Sequence, residues 1–219
     1  MEKIFSISDK PDYRLSCCHH VNPIKKLRRK KQYIRYARAI PGIYQYTAVD
    51  DCTRWRVLEI YSRRTATNTL DFIDKMIEQF PFPIQRIQSD RGREFFAYSV
   101  QEKLMTYGIK FRPNKPASPH LNGKVERSQK TDLEEFYTTV NLTDFALLRE
   151  ELEGWQFYYN WQRPHGSLKG KTPAQVNAEL SDKTPLQDEI CALYDPAKEH
   201  IQDANYSIEM QLRKLKGCL

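Results

Sequence analysis

Two acidic residues stand where chemistry on phosphate esters would need them. Asp90 follows the apolar run "IQRIQ" (84–88) and leads into "RGREF", while Glu126 lies in "HLNGKVERSQK" (120–130), in the first turn of a predicted helix. The 35 residues between them hold one predicted helix, one strand and one loop. That is enough chain to bring a helix start beside a strand end. Two converging carboxylates repel unless something positive sits between them, and hard oxygen ligands suit Mg²⁺ or Mn²⁺. Paired cations of that kind activate an attacking oxygen and stabilise a leaving one in phosphoryl transfer. Each residue also has a plain structural reading, Asp90 as a turn acid and Glu126 as an acid complementing the helix dipole. Lys130 is four residues beyond Glu126 and so shares its helix face.

The elements that must position these acids are legible from pattern. "IYQYTAV" (43–49) and "RWRVLEIY" (54–61) are β-branched and aromatic runs separated by "DDCT", which predicts antiparallel strands joined by a tight turn. Leu70, Ile73, Ile77 and Phe80 fall at helical spacing, and "PFP" (81–83) stops that helix. "IQRIQ" is then a third strand, with Asp90 just past its end. A short helix at about 96–106, a stop at Gly108, a strand at 109–113 and a proline-punctuated loop at 114–123 follow. The long helix from Gly123 places Leu133, Phe136, Tyr137 and Val140 on its inner face. A second long helix carries the stripe Phe145, Leu148, Leu152, Trp155 and Tyr159, with Thr143 as its expected cap. Strands first, then helices alternating with single strands, imply a mixed sheet covered by helices. Thr172 and Pro173 read as the cap and first residue of a short helix.

The 219 residues carry a net charge of +7. A single main domain with tails and a polyanionic partner fit those values, as does a merely soluble basic surface. No apolar run approaches the ~18 residues of a bilayer span, so no membrane partner is expected and a cytoplasmic setting follows. Five scattered cysteines fit free thiols rather than a disulfide framework. Cys17-Cys18-His19-His20 has four adjacent residues that cannot all turn toward one tetrahedral ion. Residues 1–40 hold "KKLRRKK" (25–31) and few acids after Asp12, and read as a basic arm, either a nucleic-acid-binding tail or a tail with no specific role.

"SDRGREF" (89–95), the 35-residue gap, "SPHLNGKVERSQK" (118–130), "YTAVDDCTRW" (46–55) and "FYYNWQRPHGSLKGKTPAQ" (157–175) together resemble the catalytic cores of insertion-sequence transposases and retroviral-type integrases of the DDE family. The resemblance covers about residues 41–178. It implies a ribonuclease-H-like α/β fold with a mixed five-stranded sheet flanked by helices, a Mg²⁺ or Mn²⁺ cofactor, and transesterification that cuts donor DNA ends and joins them to a target. By the same resemblance Asp90 and Glu126 become catalytic metal ligands. Lys124, Arg127, Lys130 and Arg163 become DNA contacts. Residues 179–219 form a C-terminal helical tail, in which Ile201, Ile208, Leu212 and Leu215 suggest an amphipathic helix. DNA, both element ends and target, is the implied partner; a homo-oligomer and a bacterial-type, nucleoid-associated location are compatible with it.

The family pattern breaks at its first acid. That acid stands on the first strand, and counting back from Asp50 lands on Arg35 and Tyr36, neither of which ligates a divalent cation. Asp50 or Asp51 could substitute. Without a third acid, much of the charge stabilisation behind phosphoryl transfer is lost. The expected protein is therefore a transposase or integrase core with weak or absent strand transfer. Two alternatives stand beside it: a non-catalytic DNA-binding or transposition-modulating protein, and a ribonuclease-H-type nuclease using Asp50 or Asp51. The abrupt end of the resemblance near Pro41 suggests that residues 1–40 are foreign to the family, and no segment reads as the usual helix-turn-helix.

Overall fold

The computed structural model describes residues 15–16, 22–23, 42–89, 92–114 and 123–202. Its centre is the hairpin β3 (Tyr44–Asp50) and β4 (Arg56–Tyr61), paired antiparallel from Tyr44 opposite Tyr61 to Val49 opposite Arg56. The turn between them forms because Asp50 Oδ2 accepts from the backbone N–H groups of Cys52 (3.1 Å) and Thr53 (2.6 Å) and from the Thr53 hydroxyl (2.7 Å). Arg54 takes the left-handed conformation there, at φ 64°.

Two short segments of the basic arm, β1 (Leu15–Ser16) and β2 (Asn22–Pro23), lie antiparallel against the edge of β3 opposite β4. β1 also pairs parallel with β5 (Arg86–Ser89), and β5 pairs parallel with β6 (Lys110–Pro113). The sheet is therefore mixed, ordered β4-β3-β1-β5-β6, with β2 a second piece on β3. Six strand segments stand where the sequence predicts five strands, and two of them are only two residues long. A segment of the arm thus does fill the place between β3 and β5. It comes from Leu15–Ser16, whereas Arg35 and Tyr36, reached by counting back from Asp50, lie outside the described residues.

Both faces of the sheet are covered, so β3 and β4 are buried almost throughout, as expected for strands with helices on either side. On one face α1 (Ala66–Gln79) and α2 (Tyr98–Thr106) cover a core of Tyr46, Val57, Phe72, Met76, Leu104 and Phe111, among others. Thr65 caps α1 by accepting from Asn68 N–H. The inner face of α1 is Thr69, Phe72, Ile73 and Met76. Leu70 and Ile77, expected inside, are half-buried, because the sheet meets the helix a fraction of a turn away from the stripe the sequence suggests. Gly108 ends α2 at φ 67°, where a residue with Cβ would be strained.

The opposite face carries α3 (Gly123–Thr131), which continues through a π-helical turn, Asp132–Phe136, and α4 (Phe145–Trp161). Leu58 and Ile60 pack there against Phe136, Leu142, Leu148 and Leu152. The cap of α4 is Asp144, which accepts from Ala146 and Leu147 N–H. Thr143 was the expected cap, but it bonds instead to the Asn141 side chain. α4 also closes the free edge of β4: Asn160 accepts from Arg56 N–H (3.0 Å) and donates to Arg56 C=O (2.8 Å), and Gln156 accepts from Leu58 N–H. Bonding an edge strand's backbone to side chains removes a template for pairing with other chains.

The "RPHGSLKGKTPAQ" stretch packs back onto α4 rather than standing apart. Thr172 caps α5 (Pro173–Glu179) with a complete capping box to Gln175. Tyr159 and His165 are buried in edge-to-face contact. Trp161 is 53% exposed and leans edge-on against Trp55. Beyond α5, α6 (Gln187–Leu193) and the following residues lie over β6, where Arg112 is held in a bidentate pair by Glu199 (2.6 Å each). Ile208, Leu212 and Leu215 fall outside the described residues.

Candidate nucleic-acid interface

Of the acids expected to do chemistry, Asp90 lies outside the described residues, and Glu126 is exposed in the first turn of α3. Asp50 is fully buried, with Oδ2 committed to its own turn. Burial pushes its carboxyl above the usual carboxylate range, against the opposing pull of the Thr53 and Cys52 hydrogen bonds. Asp51 is occupied by the Lys124 ammonium, with Arg54 3.9 Å away. Among the described residues, no three acidic, histidine or cysteine side chains gather as a metal site.

Convergence occurs among the cations. The start of α3, the β3–β4 turn and the loop after α4 enclose a groove of about 380 Å³ to which Arg54, Lys124, Arg127 and Arg163 contribute, with no acid among the described residues of its lining. Ser128, Thr131 and Ser167 add hydroxyls. Cations combined with hydroxyl donors match the oxygens of a phosphate. Arg127 makes no ion pair among the described residues. Lys130, expected alongside, does not line the groove and pairs instead with Glu134 at 3.5 Å.

Arg163 is fixed by a bidentate pair with Glu135 (2.8 and 2.5 Å), and that bond draws the Glu135 carboxyl below its ordinary value. Its Nη1 stands 3.4 Å from His165 Nδ1. His165 Nε2 is 3.2 Å from Tyr159 C=O, an arrangement satisfied by the neutral ring with its proton on Nε2. Burial lowers the His165 pKa.

What holds the groove in shape escaped the sequence reading. Arg56 and Asp132 form a fully buried ion pair at 2.5 Å, and Arg56 also reaches the Ser128 hydroxyl at 3.2 Å. Its guanidinium lies 3.3 Å from the centre of the Tyr159 ring. Asp132 accepts further bonds from Trp155 Nε1 (2.7 Å) and Gln45 Nε2 (2.8 Å). One network thus ties α3 to both central strands and to α4. The residues involved, the second arginine of "TRWR" and the "YYNWQRPH" run, lie far apart in the sequence and meet only in the fold.

Residues 28–119 and residues 107–173 each match the Integrase core domain family. Residues 28–173 carry an integrase core domain. The first match takes in residues 28–40, assigned above to the arm. The integrase core is 27% identical over 154 residues to the ORF3 protein of Spiroplasma virus SpV1-C74, which is named as an integrase. That alignment covers 63% of this chain and 42% of the relative, so the chain matches less than half of that relative's length. The catalytic core domain of BIV integrase has the same fold at a TM-score of 0.52 and 19% identity, over 64% of this chain and 88% of that one. The simian T-cell lymphotropic virus intasome in complex with PP2A regulatory subunit B56 gamma gives 0.52 and 18%, over 61% and 48%. The integrase core is thus a mixed α/β, ribonuclease-H-like fold. Among its described residues no helix is long and apolar enough to cross a membrane.

Proposed function

We propose that this integrase core binds DNA through phosphate contacts in the basic groove, and serves a DNA-integration or transposition reaction on element ends and target. The observation that carries this reading is the convergence of Arg54, Lys124, Arg127 and Arg163 on one groove, with no acid among the described residues of its lining. Contacts of this kind position a duplex without reading its sequence, and they release counterions. Binding is therefore non-specific and strongly salt-dependent.

Asp90 and Glu126 are the proposed metal-binding acids, with Mg²⁺ or Mn²⁺ as the ion; an ion held there would stabilise charge on a transferring phosphoryl group. Strand transfer is weak or absent. This is supported by the positions of the substitute acids, since Asp50 is turned into its own turn and Asp51 is paired with Lys124. The same observation favours a purely DNA-binding role as the second reading.

Fluorescence anisotropy with a labelled duplex, titrated from ~50 to ~200 mM salt, tests the binding; a curve flat in salt would overturn it. A Mn²⁺-dependent nicking and joining assay tests the chemistry. Robust activity lost in Asp50→Asn or Asp51→Asn would show that the chain carries a complete acidic site after all.

A further inference from the structure

Where α1 and α2 end, the chain leaves an apolar groove of about 440 Å³, lined by Ile77, Phe80, Phe82, Ile84, Tyr107 and Ile109, with Gln187 of α6 beside them. It shares no residue with the basic groove. Tyr107 is 42% exposed, and Leu186, the neighbour of Gln187, is 72% exposed. An apolar channel of this kind takes an amphipathic helix that lays in side chains at i, i+4 and i+7.

The chain's own C-terminal segment supplies such side chains. In residues 203–219, which lie outside the described residues, Ile208, Leu212, Leu215 and Leu219 follow one another at i, i+4, i+7 and i+11, the spacing of a single helical face. The segment departs from a fixed point. The buried Gln101 of α2 donates from Nε2 to Gln202 C=O (2.8 Å) and accepts the Gln202 N–H on Oε1 (2.5 Å). Tyr107 lies about 9 Å further along the axis of α2, and residues 203–207 can span up to about 17 Å when extended, so the apolar stripe reaches the groove. Charge agrees as well. Glu78 and Asp188, both exposed, adjoin the lining residues Ile77 and Gln187, and the segment carries Arg213, Lys214 and Lys216 among its leucines. A tether this short gives the segment a millimolar effective concentration at its own groove, which favours it over the same segment of a second copy.

We propose that residues 203–219 fold back as an amphipathic helix into the groove between the ends of α1 and α2, with the stripe from Ile208 to Leu219 against Phe80, Phe82 and Tyr107. The inference does not depend on the DNA-binding reading. Trypsin tests it on the full chain, because Arg213, Lys214 and Lys216 place cleavage sites inside the stripe and cleavage follows the population of the opened state. Mass spectrometry separates these cuts from those elsewhere. In the natural chain the three sites should resist cleavage, to the same degree at every protein concentration. Ile208→Ser, which leaves the cleavage sites untouched, and Tyr107→Asp, which alters only the groove, should each speed cleavage there by more than about tenfold while the melting temperature holds. Cleavage as fast in the natural chain as in both variants would overturn the proposal. So would protection that survives Tyr107→Asp, which would place the segment elsewhere, or protection that appears only as concentration rises, which would assign the groove to a second copy.

Discussion

Breaking the Arg56–Asp132 pair from either side should destabilise the fold by unequal amounts. Arg56 is 0% and Asp132 1% exposed, and removing one partner of a buried ion pair costs about 3–5 kcal/mol because the other charge is left without compensation. In Arg56→Met the stranded carboxylate keeps Trp155 Nε1 and Gln45 Nε2 as donors. Those two donors keep the loss near the lower end, at about 3 kcal/mol. In Asp132→Asn the stranded group is a guanidinium that cannot lose its proton. Its Nε and Nη2 have no hydrogen-bond partner among the described residues, so the loss should lie near the upper end, about 5 kcal/mol. For a chain of this size each kcal/mol moves the melting temperature by roughly 2–4 °C, giving falls of roughly 6–12 °C and 10–20 °C. Thermal unfolding followed by far-UV circular dichroism at neutral pH measures both. Equal losses, a reversed order, or a loss below about 1 kcal/mol in Arg56→Met would refute the reasoning.

His165 supplies a pH dependence. Its folded pKa is depressed by burial, so the folded state binds fewer protons. Stability is then fully present above the unfolded value of about 6.5 and is lost as pH falls from there through the folded value; His165→Gln should flatten that part of a stability–pH curve. Asn160→Ala leaves the buried N–H and C=O of Arg56 without their side-chain partner and should cost about 2–3 kcal/mol in denaturant unfolding. Arg127→Ala should lower the slope of log affinity for duplex DNA against log salt by about one unit, and an unchanged slope would remove Arg127 from the interface. Thr172→Ala, which loses the cap of α5, should cost about 1 kcal/mol.

The sequence by itself determined whatever rests on residues within a few positions of each other. The Thr172 cap, the Gly108 stop, the "DDCT" turn and the apolar stripe of α4 were all legible, because hydrogen bonds and side-chain periodicity act over three or four residues. The motif spacing also carried the family, since the order of strand, helix and loop is written along the chain. The family resemblance named Lys124, Arg127, Lys130 and Arg163 as candidates, although only the fold brought three of them to one groove and turned Lys130 toward Glu134. The rest was decided by tertiary structure. Arg56 and Asp132 are 76 residues apart, and Asn160 reaches Arg56 across 104. Nothing local distinguishes a buried arginine from a surface one until the helix that neutralises it is in place. The orientation of Asp50 into its own turn, and the placing of an arm segment between β3 and β5, likewise depend on which strands pair and in what register. A strand edge offers the same backbone groups to any segment, so only the competition among segments for that edge settles which one takes it.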